Sequence, residues 1–306
     1  MPPDRRPIDA LALGLMVALC ALWGFNQVAV KAAAADVSTG LQGALRSAIG
    51  LVCLMAWSIA RGTPFASRDT LASGLVTGAL FAAEFAFLYV GLAHTTASRM
   101  VVFLYLAPVV TALGLALFVP GERLAPAQWA GVALAFAGVA FAFRGGWSVA
   151  ASSTWLGDLF GIIAAVLWGA TTVFIRASAL SRASATKTLF YQLLVATVTL
   201  PIVSFAVGEP GIVRWSPVAV ASLFAQGVIV TFASYLTWFW LLTRYLAGRL
   251  AVFSFLTPLF GVAFGVLLLG DPLTPSLLLA AAMVAGGILL VNLRGLAMRR
   301  AVGARR

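Results

Sequence analysis

Charge is what this sequence lacks most. Only 9% of its 306 residues are charged, against 62% hydrophobic, and the mean hydropathy is +1.04. A soluble chain carries about 25% charged residues. No single soluble core could hide this much apolar side chain, so a lipid bilayer is the solvent for most of it. Histidine is reduced to His94, and cysteine to Cys20 and Cys53, both inside apolar runs. Two such cysteines read as small buried hydrophobes rather than a disulfide. With one histidine, two separated cysteines and one deep acid, neither a nucleophile-base pair nor a metal site can be assembled. A phosphate-binding Gly-x-x-x-x-Gly-Lys-Ser/Thr loop is missing too, so ATP is not the direct energy source. The expectation is a non-enzyme with no cofactor and no metal.

What charge there is leans one way, to a formal +11. In a soluble chain that excess would suggest nucleic acid. Here the basic residues sit singly between apolar runs, apart from a terminal group of Arg294, Arg299, Arg300, Arg305 and Arg306. They read as topology determinants and contacts to anionic lipid, and nucleic acid is not an expected partner. The first apolar stretch, Ala10 to Val30 after Arg5 and Arg6, is longer than a typical signal peptide and carries Trp23, Asn26 and Gln27. It reads as a retained span.

Crossing roughly 30 Å of hydrocarbon takes about 20 apolar residues. Ten such stretches are expected, at about 8–30, 38–60, 71–92, 98–118, 125–143, 156–178, 186–207, 217–243, 249–269 and 274–294. All should be helical, because lipid offers the backbone no hydrogen-bond partner. Short breakers such as Arg61-Gly62-Thr63-Pro64, Val119-Pro120-Gly121 and Gly270-Asp271-Pro272 separate them. Ten crossings place both termini on one side. Of the lysines and arginines, fifteen then fall with the termini, only Lys31, Arg99, Arg144 and Arg214 fall opposite, and Arg46 lies within the second span. Such a bias predicts cytoplasmic termini.

The second half of the chain echoes the first. Ala21-Leu22-Trp23-Gly24, ending at Lys31, resembles Val166-Leu167-Trp168-Gly169, ending at Arg176. Ser98-Arg99-Met100-Val101-Val102-Phe103, followed by Pro108, resembles Gly248-Arg249-Leu250-Ala251-Val252-Phe253, followed by Pro258. Gly121-Glu122 matches Gly270-Asp271, and Ala137-Gly138 matches Gly286-Gly287. The near-constant offset indicates a duplication of five spans, with repeats over 1–147 and 148–306. Five is odd, so the second copy enters the membrane from the opposite side. Inverted repeats of this kind let secondary transporters expose one midplane site alternately to either side.

With these marks the chain resembles the two-repeat EamA-type branch of the drug/metabolite transporter superfamily. The resemblance rests on the paired Trp-Gly motifs, Arg46 near the start of the second span, Arg99 and Arg249 ahead of prolines, and the acidic turns. It covers nearly the whole chain. Phe81-Ala82-Ala83-Glu84-Phe85 is similar to the third span of the bacterial aromatic amino-acid exporters. The family implies ten helices around a central cavity walled by the first, third, fourth, sixth, eighth and ninth spans.

Within that frame the candidate site residues can be named. Glu84 is the one carboxylate of nine that lies deep in a span, where an acid must be protonated, paired or facing water. It reads as a cavity group for a substrate ammonium or a proton, the alternative being a protonated packing residue. Trp23 and Trp168 occupy equivalent positions too deep for an interfacial belt, with Asn26 and Thr172 one turn beyond. Each pair makes a part-aromatic, part-polar face suited to an amphipathic ligand, or else plain helix packing. Tyr105 joins them from the fourth span. In the eighth span Gln226, Val230, Ala233 and Thr237 share one α-helical stripe and Tyr235 lies on its flank. Gln226 is the best neutral hydrogen-bonding candidate there, while Trp238 and Trp240 read as belt residues. Pro108 and Pro258 are candidate hinges, since proline removes a backbone bond and opens a bend. Arg46 is expected to snorkel toward headgroups or to pair with Glu84. His94, at a helix end, is expected to be inert.

The function expected from all this is export of small amphipathic metabolites, foremost neutral or aromatic amino acids, by alternating access in a bacterial inner membrane. Export of drugs or other metabolites, or passive conduction, are the alternatives. A hydrophobic-cation exporter would want an acid in the first span, which has no intramembrane carboxylate. The expected partners are the small-molecule substrate and lipid, and the expected unit is a monomer.

Overall fold

A computed structural model of the chain describes residues 9–118, 124–146, 154–245, 250 and 252–303. Arg5, Arg6, the Gly121-Glu122 turn, Arg123, the Gly248-Arg249 pair, Arg305 and Arg306 lie outside the described residues. Among those described, regular structure is helical apart from an isolated bridge between Val37 and Ile212 and a bridge position at Tyr245. Seven helical stretches are long and apolar enough to cross a membrane: Ala10–Ala32, Thr39–Ala60, Arg68–His94, Ala97–Phe118, Thr154–Ala177, Ala185–Ala206 and Pro217–Trp238. Three shorter apolar helices, Pro126–Phe141, Leu256–Leu269 and Pro275–Val291, lie where the fifth, ninth and tenth spans were expected.

The helices are α1 (Ala10–Ala32), α2 (Thr39–Ala60), α3 (Leu71–His94), α4 (Ala97–Leu104), α5 (Ala107–Phe118) and α6 (Pro126–Gly146). They continue as α7 (Thr154–Ala177), α8 (Ala185–Ala206), α9 (Pro217–Phe224), α10 (Tyr235–Arg244), α11 (Leu256–Leu269) and α12 (Pro275–Gly303). Local chemistry sets several starts. Asp9, Thr96, Ser184 and Ser216 each accept a bond from an otherwise orphaned backbone N–H in the first turn that follows. Pro217, at a first helical position, has no N–H to leave unsatisfied.

Among the described residues, three expected spans are not continuous α-helices. The fourth breaks into α4 and α5 at Tyr105 and Leu106, where Leu106 bonds back only three residues, to Phe103. Pro108 explains the break, since it offers no N–H to Leu104 and its ring crowds that carbonyl. In the ninth, a short 3-10 turn over Val252–Phe255 precedes α11, with Pro258 two residues into the helix. The eighth span departs further. Between α9 and α10 the chain forms a π-helix over Ala225–Ser234. Widening the turn changes which residues share a face. The α-helical stripe expected from Gln226 to Thr237 is therefore corrected: Gln226, Gly227, Val230, Thr231 and Ser234 face inward, whereas Ala233 is exposed.

Most interfaces join the two halves of the chain. α1 packs on α11, and α4 and α5 pack on α7; α2 and α3 pack on α8, and α3 also on α7; α6 runs along α12. In lipid there is no solvent to drive helices together, so small residues that let backbones touch become decisive. Gly131 and Gly287 show this at the α6–α12 contact. A Cβ on Gly287 would lie 2.6 Å from the Gly131 carbonyl oxygen, and one on Gly131 would lie 2.8 Å from that of Gly287. Backbone cannot step aside as a side chain can. Gly287→Ala is expected to destabilise by about 1–3 kcal/mol. At the neighbouring Gly286 a Cβ would meet only Leu134, at an easily accommodated 3.4 Å, so Gly286→Ala should leave the melting temperature level or raise it. Equal melting temperatures for the two variants in detergent would refute the close-contact explanation.

Candidate functional site

The deepest polar feature is a hydrogen-bonded chain threading the interface between the halves. Gln226, on the π-helix, is wholly buried and sits at its centre. Its Nε2 donates to Gln42 Oε1 at 2.8 Å and to Ser222 Oγ at 2.9 Å, and its Oε1 accepts from Tyr89 Oη at 3.1 Å. Gln42 in turn donates to the carbonyls of Val30 and Val37, and Ser222 to that of Ala29. Tyr89 Oη accepts from Arg46 Nη1 at 3.2 Å. Each group satisfies the next, which is what burial of amides in an apolar bundle requires.

Arg46 ends that chain, and it does not snorkel. Its side chain is 1% exposed, with the guanidinium carbon 4.4 Å from the centroid of the Phe85 ring. The expected snorkelling is corrected: Arg46 lies seven residues into α2, and Tyr89 and Phe85 on α3 hold it inward. Nor does it form an ion pair with Glu84. The two feel each other's charge but stand beyond ion-pair distance.

Glu84 is buried on α3, and its carboxyl makes no hydrogen bond among the described residues. Its electrostatic neighbours include Arg46, Tyr105 and Tyr235. Tyr105 stands at the α4–α5 break and meets Trp168 edge to face, with ring centroids 5.5 Å apart. Trp23 donates Nε1 to Ser234 Oγ at 3.0 Å and meets Trp238 edge to face at 5.9 Å. Trp238 is half-buried and packs against Trp23, and Arg244 lies over the face of Trp240. Asn26 is buried with its Oδ1 unpartnered. Thr172 is half-buried and bonds back to the carbonyl of Trp168 at 3.1 Å, so it is satisfied within its own helix. Pro258 is buried and Pro108 half-buried.

The candidates therefore fall into two groups. Arg46, Glu84, Tyr105 and Tyr235 are joined by electrostatic proximity, and Trp168 joins them through Tyr105. Trp23 belongs to a second cluster with Ser234 and Trp238. Tyr89, Gln42 and Ser222 were missed by the sequence reading. Gln42 and Arg46 carried a signal, as polar residues inside an apolar run; a lone Tyr89 carried none. A separate cavity of about 360 Å³ lies at the opposite end from Asp36, between the Thr63–Thr70 turn and Ala179–Lys187, and no candidate residue lines it.

One end of the bundle is closed by polar contacts. Asp36, between α1 and α2, accepts from Arg214 and Ser216 ahead of α9, beside the Val37–Ile212 bridge. Glu209 accepts from Thr39 and from the Gly40 amide. Asp271 accepts from the Ser98 amide, and Asp158 forms a buried ion pair with Arg99. Hydrogen bonds from Ser216 and Arg214 hold the Asp36 carboxyl below the ordinary carboxylate range. Because the folded value is lowered, this contact is fully present above the unfolded pKa, which is about 3.9, and is lost as pH falls through the lowered value. Spin labels flanking Val37 and Ile212 should report one unchanged distance from pH 7 to pH 5. Asp36→Asn should lengthen or broaden that distance at neutral pH, and a distribution identical to the native one would refute the latch.

Comparison with known proteins bears on this architecture directly. The family model for the EamA-like transporter family matches twice, over residues 10–144 and 155–293. "Uncharacterized transporter YvbV" of Bacillus subtilis is 28% identical, with 94% of this chain and 93% of that protein aligned. A "Probable amino-acid metabolite efflux pump" of Escherichia coli is also 28% identical, over 95% of this chain and 96% of its own. A crystal structure of a protein 23% identical superposes with a TM-score of 0.66, covering 92% of this chain and 98% of that one, and shows the shared fold. A bundle of apolar helices, a polar centre drawn from both halves and a double match to one family lead to the same statement: this chain is a multi-pass membrane protein of the EamA-like transporter family.

Proposed function

We propose that the protein exports neutral or aromatic amino acids by alternating access. The observation that carries this reading is the buried polar centre, where Arg46, Tyr89 and Glu84 of the first half meet Gln226 and Tyr235 of the second. A zwitterion with an apolar side chain needs charged or polar groups for one end and aromatic walls for the other. We assign the aromatic walls to Tyr105 and Trp168 beside Glu84 and to Trp23 of the second cluster, with Asn26 and Thr172 on the same helices as the two tryptophans. Relatives named as amino-acid metabolite efflux pumps favour the same substrate class.

The halves 1–147 and 148–306 are taken as inverted five-helix repeats. Pairing of α1 with α11, and of α7 with α4 and α5, supports this, because the two contacts exchange when the halves are exchanged. Transport then proceeds by rocking one half against the other, bending at the breaks near Pro108 and Pro258. With the arginine-rich face and both termini cytoplasmic, the end latched by Asp36 faces outward, and substrate enters from the cytoplasm.

The test is counterflow of radiolabelled phenylalanine into proteoliposomes preloaded with unlabelled phenylalanine. Saturable uptake above that of protein-free vesicles is expected. Flux equal to the control for every amino acid tried would overturn the amino-acid reading and redirect the search to other metabolites.

A further inference from the structure

Arginine presents two parallel donors, Nε–H and Nη2–H, along one edge, matched to the two oxygens of a carboxylate. This chain uses that edge once in plain view. Arg99 donates Nε to Asp158 Oδ1 at 3.1 Å and Nη2 to Oδ2. Arg46 meets no carboxylate along that edge, and its nearest polar neighbour besides Tyr89, the Tyr235 hydroxyl, stands beyond a well-formed hydrogen bond. Its Nη1 is held by Tyr89 and its flat face by Phe85, yet Nε and Nη2 are buried with no partner. A cation sealed inside an apolar bundle with two donors idle is costly, and a missing anionic partner is the direct remedy. Glu84 does not supply it, because no ion pair joins the two.

We infer that the Nε/Nη2 edge of Arg46 is the binding site for the substrate's carboxylate. Tyr89 and Gln226 act as positioning residues, fixing the guanidinium through Nη1 and leaving the bidentate edge free. The site lies between the halves, since Gln226 comes from the second while Arg46 and Tyr89 come from the first. Resting on the amino-acid reading, Glu84 takes the ammonium end, so that an α-amino acid bridges two opposite charges that do not reach each other. The carboxylate site itself does not depend on that reading and would equally take a simple aromatic carboxylate.

The experiment uses the full chain in two formats. In proteoliposomes, counterflow of labelled phenylalanine is competed with phenylalanine, with phenylalaninamide, which lacks the carboxylate, and with 3-phenylpropionate, which lacks the ammonium. In detergent, the same compounds are tested for their ability to raise the melting temperature, since a ligand that binds only the folded state stabilises it. The native protein should discriminate against phenylalaninamide by about tenfold or more, as expected for a lost charge-assisted bidentate contact. Arg46→Gln should raise KM for phenylalanine by at least about tenfold, with Arg46→Lys intermediate because it keeps charge without the fork.

The native-protein comparison holds even where a variant fails to fold. If phenylalanine is exchanged but phenylalaninamide competes equally, or Arg46→Gln keeps the native KM, the inference falls while the amino-acid reading stands. If phenylalanine is not transported but 3-phenylpropionate stabilises the native protein and not Arg46→Gln, the reading falls and the carboxylate site stands. Neither transport nor stabilisation by any carboxylate in the set overturns both.

Discussion

Replacing Asp158 by alanine is expected to destabilise the folded protein by about 3–5 kcal/mol, the usual consequence of removing one partner from a buried ion pair. Asp158 has no exposed side-chain surface, and it accepts from Thr95 at 2.9 Å as well as from both donors of the Arg99 fork. Alanine leaves the Arg99 charge buried at the contact of α4 with α7 without its carboxylate partner. The damage comes from the stranded charge rather than from any large net worth of the pair. Replacing both partners, as Arg99→Met/Asp158→Leu, should therefore recover much of the loss. Heating scans at one fixed rate should show a large drop in melting temperature for the single variant and a smaller one for the double. Equal drops would mean that shape, not charge, holds this contact.

The second large effect is on transport. Glu84→Gln should lower phenylalanine exchange about 10- to 100-fold, the range expected for losing one hydrogen bond to a charged partner. Glutamine nearly preserves the volume, so the packing of α3 against α7 and α8 should hold. Only the charge and the exchangeable proton disappear. Melting temperature should change little while exchange falls. Exchange at the native rate would make Glu84 a packing residue, leaving the transporter fold untouched and moving the search for a substrate-ammonium site elsewhere.

Much of this molecule is legible without coordinates because the bilayer leaves few choices. Apolar runs of about 20 residues must be helices when no water can satisfy their backbones. The motif echo between the halves and the resemblance to EamA-type transporters were likewise readable, and the family model matches twice, over residues 10–144 and 155–293. Pro108 announced a break because its missing N–H acts through its own helix. The eighth span was misread on the same scale. Nothing in Ala225–Ser234 distinguishes a π-turn from an α-turn by composition, and the altered register moved Ala233 outward.

Arg46 marks the boundary most clearly. Its place in an apolar run was visible, but whether a long cation reaches headgroups or turns inward depends on what a neighbouring helix offers. Tyr89 and Phe85, on α3, decided it. The same holds for Gln42 and Gln226, joined across 184 positions of sequence, and for Gly131 and Gly287, whose backbones touch. By itself the sequence determined the solvent, the helical class and the family, because hydropathy and local backbone chemistry act along the chain. Only the tertiary structure decided which polar groups satisfy one another and which donors stay idle, because a hydrogen bond between helices depends on distance in space.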